Sequence, residues 1–143
     1  MSKPKLANPA LSISDADLTS ALAQIGAEID HQPLRSSALA RIMRETFHGS
    51  DAGGAWDWRM AYDLMQAAAV QVLLRGADAA GDIAAAKLLA SRLLTETRRS
   101  EQQIRLQQFS TPLPFAALVL RAAAIRKGET VLEPSAGTGA LAA

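Results

Sequence analysis

The chain has 143 residues, a formal net charge of +1 and no cysteine; hydrophobic residues make up 49% of it and aromatic residues only 4%. This length is sufficient for one domain with a hydrophobic core, and the scarcity of aromatic residues favours packed helices over a β-sandwich or barrel. The absence of cysteine excludes disulfides and thiolate metal sites, and the small charge argues against nucleic-acid binding as a property of the whole surface. No apolar run approaches the roughly 18 residues that a membrane span needs, so we expect a cytoplasmic protein without membrane attachment.

The first two predicted helices follow a leader without hydrophobic periodicity. Residues 1–13 form this leader, and Ser14 is placed to cap a helix whose first turn contains two acidic residues. Pro33 ends this helix, and its apolar positions recur at helical spacing at Leu18, Leu22, Ile25 and Ile29. A second helix is predicted from Ser36 or Ser37 to Gly49, with an apolar face made of Leu39, Ile42, Met43 and Phe47.

Two longer helices are predicted next. The third follows a glycine-containing turn and ends at Gly76, and its apolar stripe consists of Trp58, Tyr62, Met65, Ala69, Val72 and Leu73. The fourth runs from about Asp82, is apolar as far as Leu94 and continues as a polar segment to Gln103. Four amphipathic helices with short connections are typical of a helical bundle.

The chain changes character near residue 105. A fifth helix is predicted to start at Pro112 or Pro114 and to end near Gly128, with an inward face made of Leu118, Val119 and Ala122. Residues 130–133 are the one segment with the composition of a strand. We therefore predict a mainly α fold in which a flexible leader (1–13) and a helical domain (14–105) lead into the first strand of a truncated Rossmann-like fold (106–143).

The loop after this strand has the composition of a cofactor site. Glu133 and Pro134 end the strand, and Gly137 and Gly139 follow, where the missing Cβ atoms let backbone amides approach a ligand. A phosphate-binding P-loop is excluded because Ala140, and not lysine, follows the last glycine. A dinucleotide site stays open, because the segment fits G-x-G-x-x-A, although the sequence stops before the acidic residue that would support it. S-adenosylmethionine is the third candidate, since its cationic amino acid end suits an acidic strand end that would repel a pyrophosphate.

A second segment, Gln107–Pro112, precedes the glycine loop, and the two together resemble the motif pair of amino-type DNA methyltransferases, which act on N6 of adenine or N4 of cytosine. The resemblance implies that Phe109 packs on the S-adenosylmethionine cofactor and that Thr111 holds its methionine carboxylate. It also implies a cofactor-binding role for the neighbouring motif residues, with Glu133, Gly137 and Gly139 lining the amino acid end and Pro112 and Pro134 beside them. In the alternative interpretation Phe109 is a core residue, and Thr111 caps a helix whose first turn contains Pro112.

The resemblance extends upstream of these motifs. The block 48–63, which contains Trp56-Asp57-Trp58, and the segments 97–101 and 107–112 resemble the start of bacterial Strawberry-notch-like proteins. Those proteins combine an amino-terminal methyltransferase-like region with a superfamily 2 helicase region. The resemblance covers residues 35–143 and implies S-adenosylmethionine as cofactor, DNA as partner, and DNA methylation with helicase action for the complete protein. It assigns residues 106–143 to the incomplete start of the methyltransferase domain.

This sequence departs from the family's pattern in three respects. It contains no acidic residue after a second strand, no Asn/Asp-Pro-Pro-aromatic loop and no helicase motif. Methyl transfer needs the cofactor and a target base in alignment, usually with the base flipped out of the duplex. We therefore assign no catalytic residue and expect a truncated protein that is inactive alone, supplying a helical cap and one wall of the cofactor site.

A different class of function is also open. A free-standing helical bundle acts as a protein-interaction or dimerisation module when an apolar helical face is left exposed. The lone strand favours this alternative, because an unpaired strand edge invites pairing with a second chain. The partner would then be a second copy of the chain, bound through the strand or the helical face, without any cofactor.

Aromatic and basic residues outside the motifs allow a nucleic-acid role and a structural one. Trp56 and Trp58 offer stacking surfaces for a base, but we favour Trp58 as a core residue and Trp56 as a residue that holds the loop at the helix start. Phosphate contact is one hypothesis for the basic stretch formed by Arg92, Arg98, Arg99 and Arg105. The acidic residues among them favour a solvated, salt-bridged face. The two histidines are isolated, and no metal site is predicted.

Overall fold

The computed structural model describes residues 13–75, 82–98, 111–126 and 128–132, together with Gly137 and Ala140. Five helices are present in this described part: α1 (Asp15–His31), α2 (Ser36–Thr46), α3 (Trp58–Leu73), α4 (Ile83–Ala90) and α5 (Leu113–Ala123). The mainly α prediction is confirmed for these residues, among which no strand occurs. None of the described helices combines the length and the apolar character that crossing a membrane requires.

The first helix, α1, begins at a capping box formed by Ser14 and Asp17. The Ser14 hydroxyl accepts a hydrogen bond from the Asp17 N–H at 3.1 Å, and the Asp17 carboxylate accepts one from the Ser14 N–H at 3.3 Å. These bonds satisfy amide groups that have no partner within the first turn of a helix. The predicted cap at Ser14 is therefore confirmed. Hydrogen bonds from the Ser14 side chain and then its backbone lower the pKa of Asp17.

The core lies where α1, α2 and α3 pack against one another, with the most extensive contact between α1 and α3. The largest fully buried side chains come from these three helices: Ile25, Ile29, Leu39, Ile42, Met43 and Met65. Leu18 and Leu22 of α1 are partly buried and pack against this core. The second helix stops at Thr46, before the predicted end at Gly49, and Phe47 is its C-cap. The apolar positions predicted for α1 and α2 thus do form the core.

The third helix, α3, begins at Trp58, directly after its N-cap Asp57. The Asp57 carboxylate accepts a hydrogen bond from the Met60 N–H at 2.7 Å. Half of the predicted stripe is buried and half is partly buried; the buried members are Tyr62, Met65 and Ala69. The helix ends at Leu73, and Gly76 lies outside the described residues.

The fourth helix is shorter than predicted because tertiary contacts stop it. It ends at Ala90, and residues 91–98 are not helical. The Arg92 guanidinium donates hydrogen bonds to the main-chain carbonyls of Ile29, at 3.1 Å, and of Asp30. The chain thereby leaves the helical path and crosses the C-terminal end of α1, whose last carbonyls have no partner within the helix. The predicted helical extension beyond residue 98 lies outside the described residues.

The fifth helix packs against α4 with a different face from the one predicted. Its buried side chains are those of Leu113, Ala116 and Ala117. The predicted inward residues point outward, because Leu118 and Val119 are 49% and 51% exposed and Ala122 is also exposed. That prediction is wrong, since α5 is apolar around most of its circumference and periodicity does not select a face. Two of its three buried residues are alanines, whose small side chains allow a neighbouring helix to approach closely.

Residues 130–132, the described part of the predicted strand, are not in a strand in this structure. Val131 and Leu132 are exposed, Leu132 at 87%. A strand forms only when it pairs with another, and no strand is present among the described residues for these to pair with. The start of a Rossmann-like fold therefore stays a prediction. The proposed domain boundary near residue 105 and the leader over 1–12 lie outside the described residues.

Candidate functional site

Only part of the predicted cofactor site lies in the described residues. Thr111, Pro112 and Gly137 are described, whereas the other four predicted residues lie outside: Phe109, Glu133, Pro134 and Gly139. Thr111 is half-buried and Pro112 is exposed, directly before α5. Gly137 stands near Ala140, which is buried in the same core as α1 and α3.

Pro112 is the N-cap of α5, and its carbonyl accepts hydrogen bonds from the N–H groups of Phe115 and Ala116 at 2.9 and 3.1 Å. The alternative prediction that Thr111 caps this helix is therefore wrong by one residue. A cavity of about 350 Å³, which we call the Pro112 cavity, lies beside the helix start. Gln66 of α3 and Glu96 also line it, and the Gln66 side-chain amide donates a hydrogen bond to Glu96 at 3.4 Å.

Gly137 lines a second cavity of about 540 Å³, which we call the Gly137 cavity. Its charged lining comes from α3 and its N-cap: Asp57, Arg59 and Asp63. Its apolar lining comes from α1 and α3: Leu18, Met60, Leu64 and Ala67. Gly137 has a backbone φ of +53°, which residues other than glycine rarely adopt. The volume is within the range of small-molecule binding sites, which are also mostly apolar with a few polar groups.

Asp63 lines the Gly137 cavity, and its surroundings shift the pKa of its carboxyl group. Partial burial removes water from its carboxylate and raises its pKa above the ordinary value. Arg59, with its Nε 3.9 Å from the Asp63 carboxylate, opposes this rise, whereas Glu96 and Asp57 add to it. Because Glu96 lines the Pro112 cavity, the charges of the two cavities act on one another. A raised carboxylate pKa in a cleft is typical of functional sites.

The described residues Pro112 and Gly137, one from each predicted motif segment, do not line the same cavity. Pro112 and Gly137 line separate cavities, which border the adjacent α3 residues Gln66 and Ala67 respectively. Arg59 and Asp63 were not predicted as site residues, because their i,i+4 spacing is that of an ordinary ion pair on a helix surface. No sequence signal distinguished them, since only their position in the same cavity as Gly137 does so.

Trp56 and Trp58 both bond to the loop before α3. Trp56 holds the loop as predicted and is also buried in the core, whereas Trp58, predicted as a core residue, is only partly buried and packs against the core. Trp56 is the core residue, 5% exposed, and its indole N–H donates to the Gly49 carbonyl at 3.0 Å. Trp58 is half-buried, and its indole N–H donates to the Asp51 carboxylate at 3.1 Å. The Arg98 guanidinium lies 4.2 Å from the centre of the Trp58 ring. Trp56 is therefore inaccessible to a nucleic acid base, and a cation already lies over the Trp58 ring.

Two members of the predicted basic stretch are described. Arg92 is partly buried and is engaged by the carbonyls at the end of α1, so its role is structural. Arg98 is exposed and stacks on Trp58. Arg99 and Arg105 lie outside the described residues, and the phosphate-contact hypothesis stays untested for them.

Within the described ranges, no three His, Asp or Glu side chains are grouped so as to hold a metal ion. In comparisons with known proteins, no family model, curated protein or solved structure matches this chain.

Proposed function

We propose that the chain is the amino-terminal portion of an S-adenosylmethionine-dependent DNA methylase/helicase. In this proposal it supplies a helical cap and one wall of the cofactor site, and it is inactive alone. The support from the sequence is the pairing of the segment 107–112 with the glycine loop 133–139, together with the Trp-Asp-Trp block at 56–58. The helical fold of α1 to α4 agrees with a cap.

The single observation that supports cofactor binding best is the position of Gly137. This glycine has a left-handed backbone conformation and borders a cavity that contains two carboxylates and a guanidinium. A glycine that is required by its conformation, next to a cavity with charged groups, is what a ligand-binding loop needs. The carboxylates Asp57 and Asp63 favour a cationic ligand over a pyrophosphate, which argues against the dinucleotide alternative.

DNA binding belongs, in this proposal, to the complete protein. Among the described residues, the two groups that the sequence offered for DNA contact are largely engaged within the fold. Trp56 is buried, and Arg92 is bound to the end of α1. Arg98 is the described basic residue of that stretch that reaches the surface.

Calorimetric titration with S-adenosylhomocysteine tests the proposal. We expect the wild-type chain to bind and both Phe109→Ala and Gly137→Val to abolish binding, because valine is strained at a φ of +53°. Gly26→Ala in α1 is the matched control, since its added Cβ would meet Val72 Cγ2 at an ordinary 3.5 Å. A wild-type chain that takes up NAD⁺ and not S-adenosylhomocysteine would establish the dinucleotide alternative. A chain that binds neither ligand refutes cofactor binding.

The outer face of α5 supports a second candidate function, a dimerisation module whose partner is another copy of the chain. Phe115, Leu118 and Val119 are 62%, 49% and 51% exposed on this helix. Exposed apolar side chains that cluster on one helix are typical of an interaction surface. Ile125, Val131 and Leu132 continue the exposed apolar character after the helix.

Light scattering coupled to size-exclusion chromatography tests this candidate. We expect a dimer in the wild-type chain and a monomer in Leu118→Glu and after deletion of residues 128–143. Leu88→Glu is the matched control, because Leu88 is an exposed leucine, 57%, on α4 and not on α5. A monomeric wild-type chain at high concentration refutes the dimerisation module.

A further inference from the structure

Three kinds of side chain line the Gly137 cavity. Asp57 and Asp63 provide carboxylates, and Arg59 provides a guanidinium. The remaining lining is apolar and includes a thioether, that of Met60. A ligand that fills such a cavity carries both signs of charge close together and an apolar stem beside them.

The ion pair inside the cavity is loose enough to be replaced by a ligand. The Nε of Arg59 lies 3.9 Å from the Asp63 carboxylate, and both side chains are about half exposed. In the described part of the chain this is the one interaction that Arg59 makes. Ion pairs of this kind contribute little to stability, so their breakage on ligand binding costs little.

We propose that the Gly137 cavity binds the α-amino acid end of the cofactor, with Arg59 holding its carboxylate and Asp63 its cationic groups. This inference rests on the proposed function and deepens it, because it assigns specificity to helix α3 rather than to the two motif segments. Arg59 presents a planar set of N–H donors, which matches a carboxylate bidentately. Asp57 stands at the same cavity as a second acceptor.

The charges of cavity and cofactor are complementary. Two carboxylates and one guanidinium line the cavity, so its net charge is one negative unit when both acids are ionised. The amino acid end of S-adenosylmethionine has an ammonium, a sulfonium and a carboxylate, so its net charge is one positive unit. Burial raises the pKa of Asp63, and a bound cation would oppose this rise by stabilising the ionised carboxylate. The apolar groups of Leu64 and Ala67 would face the methylene groups of the ligand.

The test compares ligands with and without the amino acid end. Calorimetry measures the affinities of the full chain for S-adenosylhomocysteine and for 5′-methylthioadenosine, which lacks the α-amino acid group. We expect Arg59→Gln to lower the affinity for S-adenosylhomocysteine about tenfold or more and to leave the affinity for 5′-methylthioadenosine unchanged. Arg41→Gln is the matched control, because Arg41 forms an i,i+4 ion pair with Glu45 at 3.2 Å on α2, outside this cavity.

A second variant tests the cationic groups. We expect Asp63→Asn to lower the ratio of S-adenosylmethionine to S-adenosylhomocysteine affinity several-fold, because only the first ligand has a sulfonium. This ratio does not respond to a general loss of structure. If the wild-type chain binds S-adenosylhomocysteine and neither variant changes these affinities, the proposed function stands and the inference falls. Equal weakening of both ligands by Arg59→Gln also overturns it. A wild-type chain that binds no ligand overturns both proposals.

Discussion

Replacement of Trp56 should cost more stability than any other single change at the start of α3. Its side chain is 5% exposed, so nearly all of an indole surface of about 200 Å² is removed from water. At about 25 cal/mol per Å² this burial corresponds to about 5 kcal/mol as an upper estimate, and the hydrogen bond to the Gly49 carbonyl adds about 1 kcal/mol. Measured costs of such truncations are about 3–5 kcal/mol, so we expect this loss for Trp56→Ala. The total free energy of unfolding of a domain of this size is about 5–15 kcal/mol, so the expected loss is a large part of it.

Urea unfolding followed by far-ultraviolet circular dichroism measures the change in the free energy of unfolding. Trp56→Phe keeps most of the apolar volume and removes the N–H donor, so its expected loss is about 1–2 kcal/mol. Trp58→Ala is the matched control, because this indole is only half-buried and should cost less than Trp56→Ala. A loss under about 1 kcal/mol for Trp56→Ala, or an equal loss for phenylalanine and alanine, would contradict the stabilising role assigned to this buried indole.

Urea unfolding also checks four further predictions. Ser14→Ala removes the cap of α1 and should cost about 1 kcal/mol. The pKa of Asp17 is lowered from 3.8, so its ionised form stabilises the fold above that pH; the difference between wild type and Asp17→Asn should shrink as the pH falls further. Arg92→Met leaves carbonyls at the end of α1 without their cationic donor and should cost about 1.5–3 kcal/mol. Ala124→Gly should stabilise by about 1 kcal/mol, because Ala124 ends α5 at a φ of +49°. An unchanged urea midpoint of unfolding in any of these variants would contradict the effect on stability that is predicted for it.

The amphipathic helices were predictable because one face of each is clearly more apolar than the other. Ile25 and Ile29 on α1 and Met65 on α3 each belong to an apolar stripe with helical spacing, and all three are buried. The face of α5 was not predictable, since Leu118 and Ala117 are both apolar and only the neighbouring α4 decides which is buried. The end of α4 depends on Arg92 reaching α1, a contact between residues far apart in the sequence.

The candidate site was predictable in its glycine and not in its partners. Gly137 stood out because paired glycines after an acidic residue indicate a ligand loop. Arg59 and Asp63 have the spacing of an ordinary surface pair, and only the packed structure shows that they line the same cavity as Gly137. The two indoles were correctly singled out, but their burial depends on the turn between Gly49 and Trp56, whose path the sequence does not specify.

The two tryptophans of the chain, with ring centres 5.6 Å apart, both stand at the start of α3. All tryptophan emission therefore originates from the start of α3, next to the core of α1 to α3. Tryptophan fluorescence will report the unfolding of the structure around the start of α3, whereas circular dichroism averages over every helix, including α4 and α5. Coincident transitions by the two methods would indicate one cooperative unit, and an earlier dichroism change would indicate that the α4–α5 end opens first. The placement of two side chains thus gives this chain an intrinsic optical reporter for half of its fold.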